Sequence, residues 1–193
     1  VTYYLTVNPA GGNLRYATAI NNTGGNSLPA DNYFLNRIEM NYRNAINRGS
    51  AAVLPSGGNA TVYVYSASYD FGEGWMSGDI APCCPLSYTI TDLNYYPSAP
   101  PNSLTLAYSA VGGALNPRDV IAKVSNVIVS QRTMPFFNYI KDTIRNLPNS
   151  LIVNPNAVNI SITNTSSTIT DRIQVGYISF TYPATFNFNN KKN

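Results

Sequence analysis

The sequence contains no histidine. That removes every mechanism using imidazole as a base, a relay or a metal ligand. Cysteine is nearly as scarce. Cys83 and Cys84 are the only two, and without histidine they do not fill the four positions of a zinc site. Charged residues make up 11% of the chain, against about 25% in ordinary soluble domains. Only two of the nine acids, Glu39 and Glu73, are glutamates, and no spacing singles out the facing carboxylate pair that a glycosidase needs. Neither G-x-x-x-x-G-K nor G-x-G-x-x-G occurs where a strand would hand over to a helix, so nucleotide binding has no support. The cations Arg37, Arg43, Arg48, Lys123, Arg132, Lys141 and Arg145 are scattered, and Lys191-Lys192 is too short for a nucleic-acid patch. No apolar run approaches the roughly 18 residues of a membrane-spanning helix. The expectation is a protein without catalysis, cofactor or metal.

What remains is ample for a fold. At 193 residues and 44% hydrophobic, with 15 tyrosines, 7 phenylalanines and a net charge of +3, one domain with a real core is expected. Polarity is carried by uncharged side chains, since 26 residues are asparagine. No side chain has an ordinary pKa between pH 5 and 8, so such a surface changes little there. Full protonation of the nine carboxylates would take the net charge from +3 to about +12. An extracellular location, including one facing acid, fits this composition, and so does a genome bias toward Asn, Tyr and Ile codons. The chain starts at Val1 rather than Met, as a mature secreted product would. Four N-x-Ser/Thr sequons begin at Asn21, Asn59, Asn159 and Asn164 and are candidate acceptors of N-linked glycans.

Period-2 patterning dominates the chain. Val1, Tyr3, Leu5 and Val7 share one face of an N-terminal strand, and the Asn8–Asn13 stretch, rich in Gly and Pro, reads as a linker. Thr61–Tyr69, Leu86–Thr91, Ser103–Val111, Leu151–Val153, Val158–Thr163, Arg172–Tyr182 and Thr185–Phe188 read as strands. Two segments satisfy both periods. Residues 32–47 suit a helix with Asp31 as N-cap, or a strand; the helix is favoured. Residues 117–147 offer Asn116-Pro117 as a helix start and an apolar stripe of Val120, Ile121, Val124, Val127 and Ile128, or a dense β-branched strand. The expected fold is a mainly β, Ig-like or jelly-roll-like sandwich with a short helical insertion, divided into an N-terminal strand and linker (1–13) and a sandwich domain (14–193).

Three clusters invite chemistry. Cys83 and Cys84 lie between Pro82 and Pro85, where a vicinal disulfide, two free thiols or bonds between chains are all open; the vicinal bond is the leading expectation. Asp70, Glu73 and Asp79 share a loop with Trp75, which suits a calcium or sugar site less well than a plain loop whose Trp plugs the sandwich end. Val1–Val7 either opens its own sheet or inserts into the sheet edge of a second copy. Insertion repeated head to tail would build a filament.

Taken together, the Val1–Val7 strand and its linker, the ion-poor body rich in Asn, Tyr and Thr, the four sequons and the closing strands resemble the subunits of archaeal surface filaments. The resemblance is to the "thread" pilins of Sulfolobus-type thermoacidophiles, which are similar in assembly to chaperone–usher-like donor-strand pilins. It implies a cell-surface filament subunit for adhesion or cell–cell contact whose partners are copies of itself, with Val1, Tyr3, Leu5 and Val7 filling a neighbour's groove. The alternative is a secreted β-sandwich module that binds carbohydrate or serves as a capsid-like unit.

Overall fold

A computed structural model describes residues 30–48, 51–55, 61–65, 73–114 and 116–187, with 48, 51–55, 61–65 and 73 described by their backbone alone. The chain divides into two compact units, Val1–Ala30 and Asp31–Asn193. The expected donor strand, its linker and the expected boundary at residue 13 lie outside the described residues.

In the larger unit the described strands are β1 (Phe34–Asn41), β2 (Ala45–Arg48), β3 (Ala51–Pro55), β4 (Thr61–Tyr65), β5 (Glu73–Met76), β6 (Leu86–Thr91), β7 (Leu104–Gly112), β8 (Asp119–Val124), β9 (Val127–Thr133), β10 (Tyr139–Leu147), β11 (Ala157–Asn164) and β12 (Ile173–Ala184). Two four-stranded sheets are ordered β1-β12-β7-β10 and β6-β11-β8-β9, and two ribbons pair β2 with β5 and β3 with β4. All these pairings are antiparallel. The expected β-sandwich is therefore the fold.

Alternation makes the sandwich. Leu104, Leu106 and Tyr108 of β7 and Ile178, Phe180 and Tyr182 of β12 are fully buried from one sheet. Val120, Ala122 and Val124 of β8 and Ile160 and Ile162 of β11 meet them from the other, in one continuous core. Each large side chain sequestered this way contributes roughly 1.5–3 kcal/mol. Arg132 of β9 clips the sheets together at one side through a two-pronged contact to Asp142 of β10, with both N–O distances 2.9 Å. Ser130 Oγ donates to the same carboxylate at 2.7 Å.

The helix favoured at 32–47 is overturned, and the choice left open at 117–147 falls to strand, so the expected helical insertion is absent among the described residues. Residues 34–41 and 45–48 form β1 and β2, and the 117–147 segment forms β8, β9 and β10. The deciding feature in the second case is a two-residue turn. Ser125 and Asn126 hold φ values of 47° and 68°, as the type I′ hairpin turn requires, and Asn tolerates that region. The β-branched run on each side then pairs with itself instead of coiling. The described helix is a single 3-10 turn, Asn149–Leu151, lying where a strand at 151–153 was expected.

One end of the sandwich is organised by a buried ion pair. Arg118 donates from Nε and Nη2 to Asp171 at 2.5 and 2.6 Å, and both side chains are wholly buried. Its other donors reach the carbonyls of Met134, Phe136 and Ala114. All five guanidinium N–H groups are thereby used. Phe136 keeps φ at 55°, an uncommon value for an aromatic residue, while its carbonyl is gripped by Arg118. Gly112 is required beside them, because a Cβ there would overlap the Phe136 carbonyl oxygen and Arg118 Nη1.

Candidate functional site

The outward face of the β1-β12-β7-β10 sheet carries an open trough of about 480 Å³. Strand register explains its shape. Three rows cross the sheet. Asn41, Tyr177, Ser109 and Lys141 form the first, and Glu39, Ser179, Ala107 and Thr143 the second. The third runs through Arg37, Thr181 and Thr105 toward Arg145. The two inner strands contribute short side chains, apart from Tyr177 at one end. The two edge strands contribute long ones, apart from Thr143 midway along β10. A flat sheet thus acquires a low floor between walls standing roughly 14 Å apart, three strand spacings.

The floor is made of hydroxyl groups around Ala107. Ser179 lies deepest, only 3% exposed, and its Oγ accepts from Arg37 Nε at 2.9 Å. Arg37 also pairs with Glu39 on the same wall. Burial raises the Tyr177 phenol above its ordinary pKa, with Arg37 drawing it down and Glu39 pushing it up. At neutral pH Tyr177 is therefore an uncharged ring with a hydroxyl tip, suited to packing against one face of a polar ligand.

The β2-β5 ribbon bounds the Tyr177 end of the floor. A bulge in β12 lies between Val175 and Tyr177. A Cβ on Gly176 would stand 2.7 Å from Ser109 Oγ and 3.1 Å from Met76 Sδ. Glycine thus lets Met76 sit against the outer face next to the trough. Its neighbour Trp75 points the other way, 57% exposed, with its equally exposed cross-strand partner Ile46.

Sequence reasoning missed this trough because its walls lie in the two segments whose patterning satisfies both helix and strand periods. Read as helix, Arg37, Glu39 and Asn41 spread around a cylinder; read as strand, they line up. The same holds for Lys141, Thr143 and Arg145. Period 2 in 34–41 was the available signal.

The expected site residues fare differently. Val1, Tyr3, Leu5, Val7, Asn21, Asn59 and Asp70 lie outside the described residues. Trp75 does not plug the sandwich end, because β5 turns it to solvent. Asp79 is exposed just beyond that strand. Asn159 projects from β11 on the outer face of the second sheet, where its Nδ2 donates to Ser87 Oγ and Thr89 Oγ1 at 2.8 and 3.0 Å. Asn164 is a correction. It is 1% exposed, its Nδ2 donates to Asp171 Oδ2 at 2.8 Å, and its Oδ1 accepts the Ser166 N–H at 2.9 Å. The folded chain has no room there for a glycan, and Asn164 serves the buried ion pair. At the expected vicinal disulfide the two sulfurs adjoin without an S–S bond in this structure. Cys83 and Cys84 are free, exposed thiols with their sulfurs 2.6 Å apart, brought side by side by a turn in which Cys84 N–H bonds the Ala81 carbonyl.

Among the described residues no helix is long and apolar enough to cross a membrane. No known protein family matches the sequence, and no curated protein does. Among solved structures, dimeric latent PorU from Porphyromonas gingivalis aligns with a TM-score of 0.52 at 7% identity, over 86% of this chain and 14% of that one. The chain thus spans about a seventh of PorU's length, and the likeness is one of fold. A carbohydrate-binding module CBM36 solved with calcium and xylotriose aligns at 0.37 and 14% identity, covering 75% of this chain and 98% of that one. The CBM36-1 domain of a multidomain xylanase from the hindgut metagenome of Trinervitermes trinervoides aligns at 0.40 and 9%, covering 76% and 96%. At these scores the two modules are similar in outline only.

Proposed function

We propose that this protein is a non-catalytic β-sandwich module, working outside the cell, that binds an extended glycan along the trough of the β1-β12-β7-β10 sheet. The observation that carries the reading is the grading of side-chain length across the sheet, mostly short and hydroxyl-bearing on the inner strands and, Thr143 apart, longer at both edges. A trough that is open along a strand face accepts a chain rather than a compact small molecule. Its Ser, Thr and Asn groups exchange hydrogen bonds with sugar hydroxyls, and the Tyr177 ring offers a flat apolar surface at one end. The test is to fill the floor without changing charge. Ala107→Trp should abolish retention by immobilised polysaccharides while the melting temperature stays within a few degrees of wild type. Undiminished retention by a folded A107W protein would remove the trough from consideration.

A filament subunit of the archaeal thread type, polymerising by donor-strand exchange, is the second reading. The observation in its favour is the edge of β1, which among the described residues pairs only with β12. An eight-residue edge strand is a ready acceptor for another chain. Electron microscopy of the chain with and without residues 1–12 separates the readings: filaments that need this segment support assembly, and discrete particles unaffected by its loss oppose it.

A further inference from the structure

We infer that the trough takes a polyanionic glycan, an acidic polysaccharide bearing carboxylate or sulfate groups, held along the β10 wall by Lys141 and Arg145. The inference rests on the glycan-binding reading and adds the charge of the ligand to it.

Four charged side chains line the trough, and three of them are cations. They are not equivalent. Arg37 is engaged twice within its own wall, by Glu39 and by the Ser179 hydroxyl. That wall is close to neutral. Lys141 and Arg145 form no ion pair among the described residues, and both are exposed. Asp142, the acid between them in sequence, does not neutralise them. It points to the opposite face, is 7% exposed, and is bound by Arg132 and Ser130. The β10 wall is therefore a positive strip facing a neutral one across a hydroxyl floor.

Spacing sets the kind of anion. Lys141 and Arg145 stand four residues apart on one strand, roughly 13 Å at 3.3 Å per residue. A ligand with one charged group reaches one of them; a polymer with repeated anions reaches both at once. Chain-wide, acids are few, so the strip is not masked by a negative background. Arg145 presents a planar fork to a carboxylate or sulfate, whereas Lys141 acts as a point charge.

The test uses the full chain and five probes: polygalacturonate for the carboxylate, dextran sulfate for the sulfate, xylan for a neutral polysaccharide, single-stranded DNA for a different polyanion, and buffer salt. Affinity electrophoresis should show retention by polygalacturonate or dextran sulfate that weakens steeply with salt, with xylan retained less. Whichever acid gel retains it names the anion. Lys141→Gln and Arg145→Gln should each weaken that retention roughly tenfold, the loss of one charge-assisted contact. Lys123→Gln, on the outer face of the other sheet, should leave it unchanged. Equal retention by xylan, sensitive to A107W and insensitive to the two Gln variants, would overturn the acidic ligand and keep glycan binding. No retention by any polysaccharide would overturn both. An equal loss in K123Q, or tighter binding to DNA than to either acidic glycan, would show unspecific charge attraction and also overturn the inference.

Discussion

Arg118 and Asp171, 53 residues apart, meet as a two-pronged ion pair from which water is excluded on every side. Burial alone would push the Asp171 carboxyl up. Hydrogen bonds from Arg118, Asn164 and Asn116 outweigh it and hold the group below the ordinary carboxylate value. The pair joins the start of β8, the turn before β10 and the turn before β12 into one knot.

Removing one partner leaves the other charged and dry. Arg118→Met and Asp171→Asn should each lower stability by about 3–5 kcal/mol, read as a shift in urea midpoint. Asn164→Ala, which removes one neutral donor to the same carboxylate, should cost less, about 1–3 kcal/mol. Single variants within 0.5 kcal/mol of wild type would mean that the knot contributes little.

The pH dependence has two limbs. Asp171 and Asp142 are both depressed, Asp142 chiefly by its hydrogen bonds from Arg132. A depressed carboxylate lends stability that is complete above the unfolded value and lost as pH falls through the folded one. Stability should hold from neutral down to roughly pH 4 and then decline. Tyr108 and Tyr182 are raised, first by burial. Their share is complete below the unfolded tyrosine value and is lost as pH rises beyond about 10. With no histidine in the chain, urea midpoints between pH 5 and 8 should be flat; a step there would contradict this account.

Gly112 and Gly78 make a matched pair. A Cβ at Gly112 meets the Phe136 carbonyl and Arg118, whereas one at Gly78 meets nothing within 4 Å. Gly112→Ala should therefore destabilise by about 1–3 kcal/mol or more, and Gly78→Ala should change stability by no more than about 0.5 kcal/mol. Differential scanning calorimetry of both variants decides it.

The thiols of Cys83 and Cys84 already touch, and the contact with Cys83 holds the Cys84 thiol above its usual pKa. Oxidised glutathione should convert them slowly at neutral pH and faster in alkali. The two thiols lose two hydrogens to one glutathione disulfide, which leaves as two glutathiones. Mass spectrometry should find a loss of about 2 Da with no dimer. A persistent glutathione adduct would show that the turn resists closing the ring.

Much of the sandwich was legible in the sequence because burial on one face writes itself as alternation. Leu86–Thr91, Ser103–Val111 and Val158–Thr163 became β6, β7 and β11 within a residue or so at each end. The 117–147 segment misled because Asn116-Pro117 is a good helix opening and its apolar positions fit a period of 3.6 as well as 2. Only the αL residues Ser125 and Asn126 break the tie, and neither is glycine. The trough was illegible for a different reason. Its eleven lining residues come from four strands that adjoin in space but not in sequence, and no local pattern records which strands become neighbours. The role of Asn164 was hidden likewise, since a sequon reads the same whether its amide faces water or a buried aspartate.

On β1, β7, β10 and β12 the residues that hold the sheets together and those that line the trough take turns. Ile178 and Phe180 face the core while Tyr177 and Ser179 face the floor. One strand thus carries two nearly independent texts, and substitutions in one leave the other readable. Floor and wall residues are therefore free to change at little cost to the scaffold beneath.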